Sequence, residues 1–207
     1  MKNLIIMILA VAAVYKGYGY FNKAEPLASM TDADVMLFTS EVCHQPCIDA
    51  RAVLRETSVS VEEVLVSDSN LGSWERLKKV KRSAVAPLLI TKTGRVEGFN
   101  RVEYLSAIGD SEGVDVLPWD AKEVLASHFD NGYPKLVMYG TQWCPYCQKA
   151  KRYFAENNIL YEERDVEASN DYRIKYTWLQ SSGYPLFYYG AKRLKGFDEK
   201  AVARLVK

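Results

Sequence analysis

Short apolar runs alternate with amphipathic stretches along most of the chain, which is the pattern of a mixed α/β protein. The run at 35–39 is too short for a helix and predicts a buried strand, whereas 74–80 has the spacing of a charged, amphipathic helix. The elements predicted for the first half are, in order, a strand at 35–39, a helix at 48–56, a strand at 59–66, a helix at 74–80, a strand–turn–strand unit at 88–97 and a helix that Asn100 caps.

The second half repeats this order of elements. The predicted series is a strand at 136–139, a helix behind it, a strand at 159–166, a helix around 170–180 and a strand–turn–strand unit from Leu186 onward. A fixed spacing supports the repeat, since Pro87 lies eleven residues before Gly98 and Pro185 lies eleven before Gly196. Each half therefore has the order β-α-β-α-β-β-α, with a period near 100 residues.

The N-terminus departs from this pattern because it begins with a positive charge and a long apolar run. Lys2 precedes an apolar stretch at 4–15, which has the length of a secretory signal core. A membrane span needs about 20 apolar residues, and the run reaches that length if it extends through Phe21 with Lys16 directed to the interface. No small-residue cleavage site follows at the right distance, so 1–21 is interpreted as an uncleaved signal anchor, with a cleaved signal peptide as the alternative. We expect membrane contact through this segment, with the domains anchored or exported on the extracytoplasmic side.

These signals divide the chain into five segments. They are the signal anchor or signal peptide at 1–21, a linker at 22–32, a first domain at 33–109, a linker with a helix of its own at 110–132, and a second domain at 133–207. Within the second linker, Asp120 is predicted to cap the helix, and Glu123 to complete a capping box.

Composition narrows the class of function. The chain has 48% hydrophobic and 26% charged residues with a net charge of +1, which is typical of a globular protein and argues against a nucleic-acid partner. The four cysteines form two close pairs, Cys43 with Cys47 and Cys144 with Cys147. Two close pairs indicate two working sites, because a structural disulfide framework usually has more scattered spacings.

The second pair lies where a predicted strand turns into a predicted helix. The unpaired amides at a helix N-terminus favour an anion, so Cys144 at that point is a thiolate more of the time than a free thiol. Cys147 is one turn away and can close a disulfide with it, and Pro145 fits the first helical turn. A Cys-x-x-Cys motif can also be half of a zinc site, but the chain has only two other cysteines and two histidines to complete one.

The residues around this motif resemble a dithiol glutaredoxin. The resemblance rests on Trp143-Cys144-Pro145-Tyr146-Cys147, on Lys149-Ala150-Lys151 behind it, and on Tyr161-Glu162-Glu163-Arg164-Asp165-Val166, and it covers roughly residues 133–207. It implies an α/β protein of two tandem thioredoxin-fold domains behind the N-terminal hydrophobic segment. It also implies a thiol–disulfide oxidoreductase in which Cys144 is the nucleophile and Cys147 the resolving thiol. Disulfide-containing or glutathionylated proteins would be its clients, with glutathione as co-substrate and no bound cofactor.

The same resemblance suggests further site residues. Tyr146 flanks the nucleophile, Tyr184 would pair with glutathione through its backbone, and Pro185 is expected beside the cysteines in the cis form. Lys175, or Arg173 in its place, would meet a glutathione carboxylate. Asp198 would meet the γ-glutamyl amine, or else cap the last helix.

Two positions depart from the family pattern in this half. Thr141 replaces a lysine that many glutaredoxins carry before the first cysteine, and Tyr184 replaces a small β-branched residue. In the first half, the spacing shared with Pro185 predicts that Pro87 is also preceded by a cis bond.

The first pair has a wider spacing and leaves several functions open. Cys43 and Cys47 are four residues apart, and His44 between them could stabilise a thiolate. The first domain could serve as a redox relay or docking module, or as a client-binding module without catalysis. A Cys-x-x-x-Cys motif is also similar to that of Sco-like copper chaperones, since thiolates suit Cu(I). Those proteins need a distal histidine, whereas His128 lies in the predicted linker, and no metal ligands are assigned.

Overall fold

The computed structural model describes residues 27–80 and 86–206, and its elements follow the predicted order. The helices are α1 (His44–Arg55), α2 (Leu71–Val80), α3 (Arg101–Glu112), α4 (Trp119–Ala126), α5 (Pro145–Glu156), α6 (Asn170–Trp178) and α7 (Glu199–Leu205), with short 3-10 turns at Leu27–Ser29, Glu41–Cys43 and Val114–Val116. The strands are β1 (Val35–Ser40), β2 (Val61–Val66), β3 (Leu88–Ile90), β4 (Arg95–Glu97), β5 (Phe129–Asp130), β6 (Tyr133–Pro134), β7 (Leu136–Gly140), β8 (Glu162–Asp165), β9 (Leu186–Tyr189) and β10 (Lys192–Lys195).

Two four-stranded sheets of the same topology form the frame of the molecule. The first has the order β2-β1-β3-β4 and the second the order β8-β7-β9-β10. In each sheet the central first strand pairs in parallel with the second strand and antiparallel with the third. We call β1–β4 with their helices the first unit, and β7–β10 with theirs the second unit. The predicted fold, a tandem pair of thioredoxin-like α/β units, is confirmed.

The outer face of each sheet has a small apolar core of its own. In the first unit, Met36 and Phe38 pack with Leu77 of α2 and with Leu27. In the second unit, the outer core lies against α5 and α7. Its buried members are Leu136, Met138, Cys144, Cys147, Ala150, Phe154, Phe187, Val202 and Leu205.

The inner faces of the two sheets share a single core. Successive side chains of a strand point to opposite faces of its sheet, and Leu37 of β1 and Tyr139 of β7 lie on these inner faces. Helices α1, α3 and α4 lie between the sheets and bury Leu54, Leu105 and Leu125 in the same cluster. Because one buried cluster joins both inner faces, neither unit buries its inner apolar surface independently of the other.

A buried polar network ties the segment after α4 to the second sheet. The Arg164 guanidinium donates to the Tyr139 hydroxyl at 2.6 Å and to the Ser127 carbonyl at 2.6 Å. The Tyr139 hydroxyl lies 2.9 Å from Nε2 of His128, whose ring stacks on Tyr188 with centroids 4.4 Å apart. Burial, followed by the charge of Arg164, holds the pKa of His128 well below its ordinary 6.5. His128 is therefore neutral, and its Nε2 forms a buried hydrogen bond with the Tyr139 hydroxyl.

The structure corrects one predicted cap and confirms another. Asn100 caps α3, and its side chain accepts a hydrogen bond from the Glu103 amide at 3.0 Å. Asp120 does not cap α4, because that helix begins one residue earlier, at Trp119, with Pro118 at the capping position. The Asp120 carboxylate instead accepts hydrogen bonds from Arg101 at 2.9 Å and from the Trp178 indole at 3.0 Å, which joins the two units.

The predicted signal anchor at 1–21 lies outside the described residues. Within 27–80 and 86–206, the structure contains no helix with the length and apolar character needed to cross a membrane.

The buried, neutral His128 should make stability depend on pH. The unfolded chain takes up a proton as the pH falls through about 6.5, whereas folded His128 does not, so unfolding becomes easier below that pH. The free energy of unfolding should therefore fall by up to about 1.4 kcal/mol per pH unit between pH 6.5 and 5.5. Urea unfolding at several pH values measures this slope.

Two variants check this assignment. His128→Gln should flatten the slope, and His44→Gln, at the other histidine of the chain, is the matched control. A folded His128→Gln protein with the wild-type slope would contradict the assignment.

Candidate functional site

Cys144 occupies the N-cap of α5. Its sulfur accepts a hydrogen bond from the Cys147 amide at 3.1 Å, one of the amides that the helix cannot pair internally. Pro145 is in the first turn of the helix, where the missing amide costs nothing. A thiolate on Cys144 is therefore stabilised both by this hydrogen bond and by the positive end of the helix.

The two cysteines of the second unit are bonded to each other. Their Cα atoms are 5.2 Å apart, within the usual range for a disulfide. Both cysteines are buried in this form, with 3% of the Cys144 surface exposed and none of the Cys147 surface.

Gly140, the last residue of β7, lies so close to the Cys147 sulfur that only a glycine fits there. A Cβ atom at this position would lie 2.8 Å from the Cys147 sulfur, closer than non-bonded atoms approach. The close packing of sulfur on backbone fixes the distance between β7 and the start of α5, and therefore the position of Cys147. A glycine directly after an apolar run was the sequence signal for this contact, since glycine in a strand often marks a close approach.

Trp143 and Gln142 hold the loop before the motif. The Trp143 indole donates to the Glu167 carboxylate at 3.0 Å, although 66% of the residue is exposed. Gln142 donates to Asp165 at 3.0 Å, and the Glu167 amide followed by Gln142 lowers the pKa of Asp165. The loop is thus tied to the residues that follow β8.

Tyr184 and Pro185 bring a second loop to the motif. The Tyr184–Pro185 bond is cis, as predicted, and the Ala86–Pro87 bond of the first unit is also cis. The Tyr184 ring packs on Tyr176 at 4.9 Å between centroids and meets Trp143 edge-on at 6.1 Å. The Tyr176 hydroxyl donates to the Gly183 carbonyl at 3.0 Å, which holds this loop against α6.

The other predicted glutathione contacts have partners on their own helices. Lys175 donates to Asp171 at 2.5 Å on the same face of α6, and Asp198 caps α7 by accepting from the Ala201 amide at 2.8 Å. Arg173 donates to Asn170. Tyr146 is 56% exposed and carries the Lys149 ammonium 5.0 Å from its ring centroid. The structure thus places Tyr184 beside the motif and leaves the three charged residues, Lys175, Asp198 and Arg173, in local interactions.

The first unit has a cysteine pair at the corresponding end of its sheet. Cys43 and Cys47 are disulfide-bonded with Cα atoms 5.6 Å apart. Cys47 follows the end of β1 at Ser40 by seven residues, as Cys147 follows Gly140, so these two cysteines are equivalent. Cys43 lies three residues after Ser40, whereas Cys144 lies four residues after Gly140. The first pair therefore has one more residue between its cysteines, and His44, directly after Cys43, has a positive φ of 46°. The wider spacing is therefore accommodated at the start of α1, not within the helix.

The described residues hold no group of three or more His, Cys, Asp or Glu side chains placed to bind a metal ion. His128, the histidine considered for a copper site, lies in the segment after α4, where it is fully buried and hydrogen-bonded to Tyr139.

Comparison with known proteins finds a glutaredoxin-like segment in the second unit. Residues 136–192 match the glutaredoxin family model, which confirms the resemblance predicted from the motif. No curated protein matches the chain. Since glutaredoxins exchange thiols and disulfides, the match supports thiol–disulfide oxidoreductase chemistry for this unit.

Three solved structures are similar to the chain in part or in whole. A glutaredoxin from Archaeoglobus fulgidus is 18% identical, with a TM-score of 0.33 over 37% of this chain and 89% of its own. The thioredoxin-like protein BC3987 is 27% identical, with a TM-score of 0.32 over 34% of this chain and 99% of its own. The first two thioredoxin domains of Saccharomyces cerevisiae Eps1p are 12% identical, with a TM-score of 0.28 over 89% of this chain and 97% of their own.

The contact between Gly140 and Cys147 leads to a prediction. In Gly140→Ala the new methyl group must displace the Cys147 sulfur, so the free energy of unfolding should fall by about 1–3 kcal/mol. Closure of the Cys144–Cys147 disulfide should slow, because the resolving sulfur no longer has its proper position. Stopped-flow oxidation of the reduced protein and urea unfolding measure the two effects.

Gly94→Ala is the matched control, since a Cβ at Gly94 would meet no atom within 4 Å. Equal effects of the two substitutions would contradict the role assigned to Gly140.

Proposed function

We propose that this protein is a thiol–disulfide oxidoreductase of glutaredoxin type, in which the second unit acts by a dithiol mechanism through Cys144 and Cys147. One observation carries the proposal. The Cys144 sulfur caps α5 and accepts a hydrogen bond from the backbone amide of Cys147, its partner cysteine one turn further along the helix. Both cysteines lie inside the segment that matches the glutaredoxin family model.

The mechanism follows from this arrangement. The Cys144 thiolate attacks one sulfur of a client disulfide, a mixed disulfide forms, and the second client sulfur leaves as a thiolate that takes a proton. Cys147 then attacks the Cys144 sulfur, closing the Cys144–Cys147 disulfide and releasing the second client thiol. The client is reduced by two electrons and the cysteine pair is oxidised by two.

Glutathione is proposed as the co-substrate that returns the pair to the dithiol. Tyr184 supports this role, because its ring lies against Trp143 of the motif. Tyr146, within the motif, is exposed and available to a bound molecule. Lys175 and Asp198 would have to exchange their present partners for the charged ends of glutathione.

The first unit is proposed to act as a redox relay or docking module. Its Cys43–Cys47 disulfide supports the redox role, since it lies at the same end of an equivalent sheet. Clients are expected to be proteins with disulfides or with glutathione attached to cysteine.

Two substitutions test the roles of the cysteines. Cys144→Ser should abolish reduction of both protein disulfides and glutathione mixed disulfides, because it removes the attacking thiolate. Cys147→Ser should lose reduction of protein disulfides but keep activity on glutathione mixed disulfides, which require only one thiol. Reduction of insulin and of a glutathionylated peptide, followed in parallel, separates the two reactions. An active Cys144→Ser protein beside an inactive Cys147→Ser protein would reverse the assignment.

Membrane association is proposed from the apolar run near the N-terminus. Full-length protein should sediment with membranes and resist extraction by high salt, which removes electrostatic contacts only. Mass spectrometry of the recovered protein gives its first residue. A shortened form in the soluble fraction would contradict the anchor and indicate a cleaved signal peptide.

A further inference from the structure

A cavity of about 440 Å³ opens beside Cys43 in the first unit. It lies between the ends of β1 and β2 and the helix α2, and its floor is formed by Phe38, Val66 and Leu88. The volume falls within the range of roughly 300–1,000 Å³ that is typical of binding clefts. Cys43 lines the cavity, so an occupant would be in contact with one sulfur of the Cys43–Cys47 disulfide.

The residue before the cis-proline keeps this cavity open. Ala86 lines it and contributes only a methyl group. The equivalent residue of the second unit, directly before Pro185, is Tyr184, whose ring packs on Trp143 and Tyr176. The same frame therefore has an open cleft at one cysteine pair and a stack of aromatic rings at the other.

Two large apolar side chains are exposed around the cavity. Val42, in the turn that leads to Cys43, is 80% exposed, and Trp74 of α2 is 39% exposed. Both line the cavity. Exposed apolar groups that adjoin an apolar cleft and a disulfide indicate a binding surface, because a partner that covers them removes apolar surface from water.

Two carboxylates at the cavity favour a positively charged occupant. Glu41 and Asp68 line the cavity, both are exposed, and no ion pair involves either of them in the described residues. Their negative charge opposes glutathione, which carries two carboxylates, and attracts lysine or arginine. The cavity is thus complementary to a peptide that is both apolar and basic.

We propose that this cavity binds an extended segment of a protein client in which a large apolar side chain stands next to a cysteine, with a lysine or arginine close by. The apolar side chain fills the space that Ala86 leaves open, and the basic residue is held by the combined negative charge of Glu41 and Asp68. The inference rests on the proposed function and assigns to the first unit the selection of the client.

Because Cys43 lines the cavity, a client bound there can exchange thiols and disulfides with it. In the dithiol form, the Cys43 thiolate attacks one sulfur of the bound client's disulfide, the client S–S bond breaks, and the second client sulfur leaves as a thiolate that takes a proton. Cys47 then attacks the Cys43 sulfur, which closes the Cys43–Cys47 disulfide and releases the first client sulfur as a thiolate that takes a proton. The client gains two thiols and the Cys43–Cys47 pair gains a disulfide.

The test uses full-length protein in the disulfide form and a fluorescein-labelled ten-residue peptide. The peptide has blocked ends and a Leu-Ser-Arg centre, in which serine replaces cysteine so that only binding is measured. Matched peptides carry Asn for Leu or Glu for Arg. Fluorescence anisotropy should give dissociation constants at least tenfold weaker for both matched peptides.

Substitutions locate the binding. Ala86→Tyr, which fills the cavity, and Trp74→Ala, which removes one wall, should each weaken binding of the Leu-Ser-Arg peptide at least tenfold. Trp119→Ala removes an equally large exposed aromatic residue elsewhere and should leave binding unchanged. Asp68→Lys, at an exposed position that does not threaten folding, should weaken binding and remove its salt dependence.

Three results would overturn the inference. They are no binding of the peptide to the wild-type protein, tighter binding of the Glu peptide, or wild-type affinity in Asp68→Lys and in a folded Ala86→Tyr protein. Reductase activity through Cys144 is measured in parallel on a small disulfide. Activity without peptide binding would contradict this inference alone, whereas peptide binding without activity would contradict the proposed function alone.

Discussion

The burial of two sheet faces on one layer of helices is the constraint on which the rest of the structure depends. Helices α1, α3 and α4 separate the inner faces of the sheets, and the residues they bury belong to a single cluster. The contact is specific as well as apolar, since Ser106 of α3 lies 3.4 Å from the buried Tyr188 hydroxyl and Asp120 joins Arg101 to Trp178. Loss of packing in one unit therefore exposes apolar surface of the other, and we expect the two to unfold together.

This core is connected to the chemistry through β7. Tyr139 faces the shared core and bonds to His128 and Arg164, whereas Gly140, the next residue, touches the Cys147 sulfur. The first unit has the same frame with different residues at its working end, where Ala86 and the shifted Cys43 leave a cleft. One fold thus presents two cysteine pairs whose surroundings differ in shape, with a cleft at the first and packed aromatic rings at the second.

The sequence predicts the order of the elements because apolar runs, turns and the proline spacing repeat with a period near 100 residues. It also places Cys144 at a helix start, since a strand, the motif and a helix follow one another directly. The shared core was not predictable, because periodicity identifies the apolar face of a helix but not the surface that covers it. Asp120 shows the same limit: its spacing to Glu123 fits a capping box, yet tertiary contacts with Arg101 and Trp178 determine its role.

The central claim is that the Cys144 thiolate is the reacting group, and alkylation of the fully reduced protein tests it most directly. Limiting iodoacetamide is applied between pH 5 and 9, and mass spectrometry identifies the modified cysteine at each pH. The account predicts that Cys144 is alkylated first, with a half-maximal rate at a pH below about 8.5, the value for a free thiol. Preferential alkylation of Cys147, or a half-maximal rate for Cys144 at or above that pH, would contradict it.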